Sequence, residues 1–237
     1  MIIKTKTDEL ATRVADWLIG YANEVIQRQG RFAIALSGGS TPKTLHMLLA
    51  AEPYRSQTDW SKWQVFWGDE RAVPFADERN NARMAYDTLL NHVPVPEEHI
   101  HVMRTDLEPL EAAREYAYTL HSLFDGQPAT FDLVLLGMGD DGHTLSLFPG
   151  QDVVHEQDAW TSAFWLASQR MYRITLTAPV VNQAACVAFL VAGAGKAETL
   201  KAVLEGPYLP DQYPSQVIKP TDGQLIWFID EAAGALL

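Results

Sequence analysis

Cysteine is nearly absent. Of 237 residues only Cys186 is one, and it lies inside the apolar stretch ACVAFLVAG. A lone thiol cannot close an internal disulfide, so nothing points to secretion, and Cys186 is read as a small buried hydrophobe. No apolar run reaches the ~18 residues of a membrane span. The opening MIIKTKTDELATRVADWL lacks the apolar core of a signal peptide and reads as a short strand and an amphipathic helix, so the cytoplasm is the expected location. Basic residues are scarce: 18 Lys and Arg stand against 30 Asp and Glu, a formal net charge of −12. That balance offers no broad basic face to nucleic acid. It also repels anions, so a site for an anionic small molecule must gather positive charge locally. Low-complexity segments, long charge runs, repeats and a splitting linker are missing too. One domain over 1–237 is therefore expected.

What is present is an alternation of helical and extended patterns. Residues 8–29 have helical periodicity that stops at Gly30, and RFAIALS (31–37) is a continuous apolar run, as a buried parallel strand would be. TPKTLHMLLAA reads as a helix with Pro42 in its first turn, WQVFWGDER as a strand, RNNARMAYDTLLN as a helix, IHVM as a short edge strand, and EPLEAAREYAYTLHSLF as a helix. FDLVLLG, AFWLAS, RITLT, ACVAFLVAG and QLIWFID read as strands. KAETLKAVLEG and the terminal EAAGALL read as helices, and GPYLPDQYPS as a loop. The expected fold is a single α/β domain, Rossmann-like, with a largely parallel sheet covered by helices on both faces. Ligands in such folds bind where strands end.

Four strand ends carry candidate chemistry. In ALSGGSTP, Ser37, Gly38, Gly39, Ser40 and Thr41 join a strand to a helix. Glycines let backbone pass close to a ligand, and the N–H groups and hydroxyls of a helix start suit a phosphate; the other reading is a tight turn with Ser40 or Thr41 as N-cap. In VFWGDERAVP, Arg71 could clamp an anion and Asp69 could accept a proton or orient a hydroxyl, or the segment could be a solvated loop with a local ion pair. GMGDDG, from Gly137 through Gly139 to Gly142, has the G-x-G-x-x-G spacing of a dinucleotide site. Pro149-Gly150 leaves room for only a turn or two of helix after it, and the motif lies beyond the chain midpoint, so no nucleotide is expected. The glycines instead turn the backbone and bring Asp141 and His143 to the mouth of the sheet. A histidine there can act as general base, with Asp141 or Asp69 orienting it, or can simply pack in the loop. In VAGAGKAETL a Walker A reading fails because Leu190 and Ala197 stand where Gly and Ser/Thr are needed. Lys196 still sits at a helix start, against the dipole, which favours an anion contact, and Arg173 in YRITLT could add a second positive group. His99 and His101 would share a strand face but lack a third ligand, so no metal is expected.

Taken together, SGGSTP, WGDERAVP with Asn80-Asn81 after it, LGMGDDGHT, SLFPG, RITLTAPVVNQA, LVAGAGKAETL and WFIDEAA resemble the 6-phosphogluconolactonase family, in its order and over nearly the whole chain. The resemblance implies the fold of the sugar-phosphate isomerase and deaminase superfamily. It implies hydrolysis of 6-phospho-D-glucono-1,5-lactone in the pentose phosphate pathway without metal or cofactor. Monomer and homodimer are both left open by the sequence. On it, His143 matches the general base, Gly38 to Thr41 the glycine-rich loop, and Arg71, Arg173 and Lys196 positions assigned to the phosphate. Loop N–H groups near Gly139 to Gly142 are the expected donors to the oxyanion. Leu145, where a small Ala is common, Asn80, where Ser often stands, and YPSQVIKP depart from the pattern and bear on pocket shape. The rival readings are a glucosamine-6-phosphate deaminase and a non-catalytic sugar-phosphate sensor.

Overall fold

The computed structural model describes residues 1–237. Six strands, β1 (Ile2–Thr5), β2 (Phe32–Leu36), β3 (Trp63–Trp67), β5 (Leu133–Gly137), β8 (Cys186–Val191) and β9 (Gln224–Asp230), form a sheet in the order β1-β9-β8-β5-β2-β3. Every pairing in it is parallel. The apolar runs of β2, β5 and β8 follow from burial on both faces. Along β2, Phe32, Ile34 and Leu36 enter one apolar cluster with helices α1 (Leu10–Gln29) and α2 (Ser40–Leu49), while Ala33 and Ala35 enter the other. Helices α4 (Pro109–Phe124) and α6 (Ala197–Glu205) pack into that second cluster. The period of two thus gives each strand two apolar faces rather than one.

A second, three-stranded sheet lies against α4, in the order β4 (Asp69–Arg71), β7 (Met171–Leu176) and β6 (Thr161–Leu166), all antiparallel. This corrects two expectations. WQVFWGDER is not one strand: at Gly68 the chain leaves the parallel sheet, its N–H on Leu36 O and its carbonyl on Leu176 N–H, and β4 starts the second sheet. AFWLAS and RITLT form an antiparallel hairpin, not members of the parallel sheet. The terminal EAAGALL makes turns, not a helix. IHVM makes only an isolated bridge from Ile100 to Val65, and His99 lies in a short 3-10 turn, so His99 and His101 share no strand face. The 79–91 helix divides into α3 (Asn81–Ala85) and a π turn over Tyr86–Leu90. A four-residue helix, α5 (Ala178–Val181), follows β7. No helix is long and apolar enough to cross a membrane.

The chain runs from β2 outward to β3, returns across β2 to β5, and then proceeds the other way to β8 and β9. The order therefore reverses between β2 and β5, and the crevice above their carboxyl ends is where such sheets bind ligands.

Candidate active site

A cleft of ≈ 240 Å³ opens at that point. Its walls are Ser37, Gly38 and Gly39 after β2; Asp69 and Arg71 of β4; Asn81 of α3; residues 137–139 and 143–145 after β5; Arg173 of β7; and Lys196 before α6. The chemistry-bearing residues expected from the sequence converge here, apart from Ser40, Thr41, Asp141 and Gly142, which lie close to lining residues in the chain but do not line the cleft themselves.

The β5 loop answers what its glycines are for. Gly139 donates its N–H to His143 O at 2.8 Å and Gly142 donates to Gly139 O at 3.1 Å, which closes a tight turn. A Cβ on Gly139 would strike the His143 ring and the Asp141 carboxylate, so only glycine lets both side chains fold over this backbone. Asp141 Oδ1 lies 2.5 Å from His143 Nδ1 and also accepts the His143 N–H at 3.1 Å. An ionised carboxylate there makes Nδ1 the protonated nitrogen and leaves Nε2 with a free lone pair. Burial works to raise the Asp141 carboxyl, but the hydrogen bond and charge of His143, with backbone donors, carry it below the usual carboxylate range. The imidazole stacks on Phe148, ring centroids 4.1 Å apart, and the Arg173 guanidinium lies over the same ring at 5.6 Å. Of the oxyanion donors expected between Gly139 and Gly142, the two glycine N–H groups themselves are ruled out, since both are already spent on the turn.

Free backbone donors lie instead across the cleft. The N–H groups of Gly38, Gly39, Ser40 and Thr41 meet no acceptor in the protein, where β2 turns into α2. Gly39 caps α2 at φ 102, a backbone region that side chains avoid, and no side chain caps the helix. The N-cap reading of Ser40 or Thr41 is therefore wrong, and the helix start remains an open nest of donors.

The positive groups differ in freedom. Arg173 is 3% exposed and donates through all three nitrogens: Nε to Ser146 Oγ, Nη1 to Gln169 Oε1 and Nη2 to Asp69 Oδ2 at 2.6 Å. Asp69 is 6% exposed and also accepts from Ser146 Oγ at 2.7 Å. Burial pushes its carboxyl up, but Arg173, Arg71 and Ser146 together hold it below the usual range. Asp69 is thus bonded to Arg173, and Asp141 is the carboxylate that holds His143. Lys196 Nζ pairs with Asp140 at 2.5 Å. Its loop is anchored from below by buried Asp230, whose oxygens both accept the Gly193 N–H at 3.1 Å. Arg71 has no carboxylate within ion-pair distance; Nη1 reaches Arg79 O at 2.8 Å and Nε is buried without a partner. Between Asp69 and Arg71, Glu70 faces the other way; burial pushes its carboxyl up to about 7 against three N–H donors.

Sequence reasoning missed Ser146, Phe148 and Glu70. Ser146 and Phe148 stand in SLFPG, three and five residues after His143, and that nearness in the chain was the available signal. No three His, Cys, Asp or Glu side chains are grouped to hold a metal ion.

With this geometry in place, comparison with known proteins is decisive. The family model described as glucosamine-6-phosphate isomerases/6-phosphogluconolactonase matches residues 5–227. The chain belongs to this family. It is 42% identical over 96% of its length to a 6-phosphogluconolactonase of Nostoc sp., of which it covers 94%. It is 34% identical to a probable 6-phosphogluconolactonase 2 of Oryza sativa, over 98% of this chain and 87% of that one. Among solved structures, the 6-phosphogluconolactonase of Trypanosoma brucei superposes with a TM-score of 0.88 at 26% identity, over 100% of this chain and 98% of that one.

Proposed function

We propose that the protein hydrolyses 6-phospho-D-glucono-1,5-lactone to 6-phospho-D-gluconate, in the oxidative pentose phosphate pathway. The observation that carries this reading is the Asp141–His143 pair, with Nε2 open, in a cleft that also holds an uncommitted Arg71 and the unpaired N–H groups of Gly38 to Thr41. The phosphate sits on those N–H groups, on Arg71 and on Lys196, whose pairing with well-exposed Asp140 costs little to exchange. Arg173 also lines the cleft, but its charge is largely met by buried Asp69. Fixed by its far end, the lactone presents C1 to His143.

His143 Nε2 takes a proton from water as the water oxygen attacks C1. Collapse of the tetrahedral intermediate breaks the bond from C1 to the ring oxygen, and His143 returns the proton to the C5 alkoxide. The acid product then ionises and releases one proton to solvent. Asp141 keeps Nδ1 protonated and stabilises the imidazolium that forms. A lactone is already activated, so a general base worth roughly 10²–10⁴-fold is sufficient. The cytoplasm suits a chain whose only thiol is buried and unpaired.

Proton release from freshly prepared 6-phosphogluconolactone, with and without protein at controlled pH, tests this reading. Acceleration is expected, with His143→Asn lowering kcat by roughly 10²–10⁴ while KM moves little. A His143→Asn variant with near-normal kcat would remove the base assignment. No acceleration by the wild type, with ammonia released from glucosamine 6-phosphate instead, would replace the lactonase reading by the deaminase one.

A further inference from the structure

The strand β4 alternates. Asp69 and Arg71 line the cleft, while Glu70 between them is turned inward and is 1% exposed. Its carboxylate accepts three backbone N–H groups: Arg71 at 2.8 Å and Asn81 at 2.7 Å on Oε1, and Ala82 at 2.8 Å on Oε2. No Lys, Arg or His lies within ion-pair distance of it. A buried carboxylate without a counter-ion is costly, and it persists where backbone donors and a helix start replace water. Here two of the three donors and the helix start come from α3, whose third N–H, that of Arg83, is taken by the Asn80 side chain at 2.8 Å.

The two elements that Glu70 joins each present a cleft side chain. Arg71 extends from β4 and braces Nη1 on Arg79 O, just before α3. Asn81 opens α3 and reaches back to Asp69 O at 2.9 Å. A Cβ on Gly38 would strike the Asn81 amide, so the glycine loop abuts this same residue. The separation between β4 and the start of α3 therefore sets both the aim of the Arg71 fork and the seat of the phosphate loop.

We propose that Glu70 is a positioning residue for substrate binding: by tying the Arg71 N–H to the first two N–H groups of α3, it holds the Arg71 guanidinium toward the substrate phosphate. The proposal rests on the assignment of Arg71 to that phosphate. Glutamine in place of Glu70 keeps the size but turns a donor toward one N–H group. The connection then opens while the side chains of the cleft stay unchanged.

The test compares Glu70→Gln, Glu70→Asp, Arg71→Met and the double variant Glu70→Gln/Arg71→Met. The readouts are lactone kinetics and inhibition by 6-phosphogluconate, with thermal melting recorded in parallel. Glu70→Gln is expected to raise KM and the inhibition constant roughly tenfold, with kcat changing far less. Glu70→Asp, which keeps a carboxyl with a shorter reach, should lie between it and wild type. The double variant should bind no worse than Arg71→Met alone, because the two act through one contact. A Glu70→Gln variant that melts earlier but keeps KM and the inhibition constant would overturn the proposal and leave Glu70 a structural residue. So would full additivity in the double variant. Unchanged product inhibition in Arg71→Met would instead remove the phosphate assignment itself, and the proposal with it. If Glu70→Gln does not fold, Glu70→Asp alone and with Arg71→Met carries the same comparison.

Discussion

Asp69→Asn should cost the fold more than any surface change of charge. Asp69 and Arg173 are 6% and 3% exposed, and their contact is 2.6 Å. Asp69 Oδ2 takes both Arg173 Nη2 and Ser146 Oγ, while Oδ1 faces Asn81 Nδ2 at 3.4 Å. Asparagine has one acceptor oxygen for these three donors. If the oxygen serves Arg173 and Ser146, its amide meets the Asn81 amide; if it is flipped, its amide meets Arg173. In both orientations Arg173 also loses its counter-charge. Breaking one side of a buried pair costs about 3–5 kcal/mol. At 2–4 °C per kcal/mol for a chain of this size, Tm should fall by roughly 6–20 °C. The pH dependence has a fixed sign. The folded-state carboxyl is depressed, so its stabilisation is present above the unfolded value of ~3.9 and is lost as pH falls through the lower folded value. The deficit of Asp69→Asn should therefore be large at pH 7 and shrink below about pH 4. Calorimetric melts across that range measure it. A Tm at pH 7 within about 2 °C of wild type, or a deficit unchanged in acid, would refute the reasoning. Asp69→Asn/Arg173→Met, which removes both charges, should recover part of the loss.

Two other substitutions separate chemistry from scaffold. Asp141→Asn leaves His143 in place but without a carboxylate on Nδ1, so kcat should fall at least about tenfold while KM moves little; an unchanged kcat would mean that Asp141 only braces the loop. Tyr116→Phe leaves the buried Trp67 N–H and carbonyl without the hydroxyl that serves both, at 2.9 and 3.1 Å, which should cost roughly 2–4 kcal/mol in urea unfolding with kcat/KM retained.

Much of the parallel sheet was legible because its strands are unusually plain. FAIAL and CVAFLV are buried along their whole length, and a short run that is apolar at every position suits a strand covered on both faces. The second sheet was not legible. Met171–Leu176 has a strand composition, but nothing in its residues says which edge it joins. Partner choice depends on where Gly68 redirects the chain, and a single glycine between WQVFW and DER marks a break without giving its direction. The terminal EAAGALL failed for another reason. Its residues suit a helix, but Asp230 accepts the Ala233 N–H and anchors the segment in turns before a helical hydrogen-bond ladder can start.

The candidate site shows the same division between residue type and side-chain direction. Sequence reading brought two aspartates, Asp69 and Asp141, near one histidine and had no means of choosing between them. The choice is made by β4. Because Asp69 starts an antiparallel strand whose register places it opposite Thr175, and Arg71 opposite Arg173, its carboxylate is delivered to Arg173 and Ser146 and is used up there. Only Asp141, two residues from His143 on a loop folded over Gly139, can serve the imidazole. The net charge of −12 is reconciled by distance. At physiological ionic strength the Debye length is about 8 Å, so exposed acids elsewhere on the surface are screened from the cleft, whereas Arg71 and the N–H groups of Gly38 to Thr41 act at contact. An acidic protein can therefore bind a phosphate dianion, provided that the positive groups at the site are not all neutralised by their neighbours. Arg173 is neutralised and Lys196 is shared, which makes Arg71 the cation on which binding should chiefly depend.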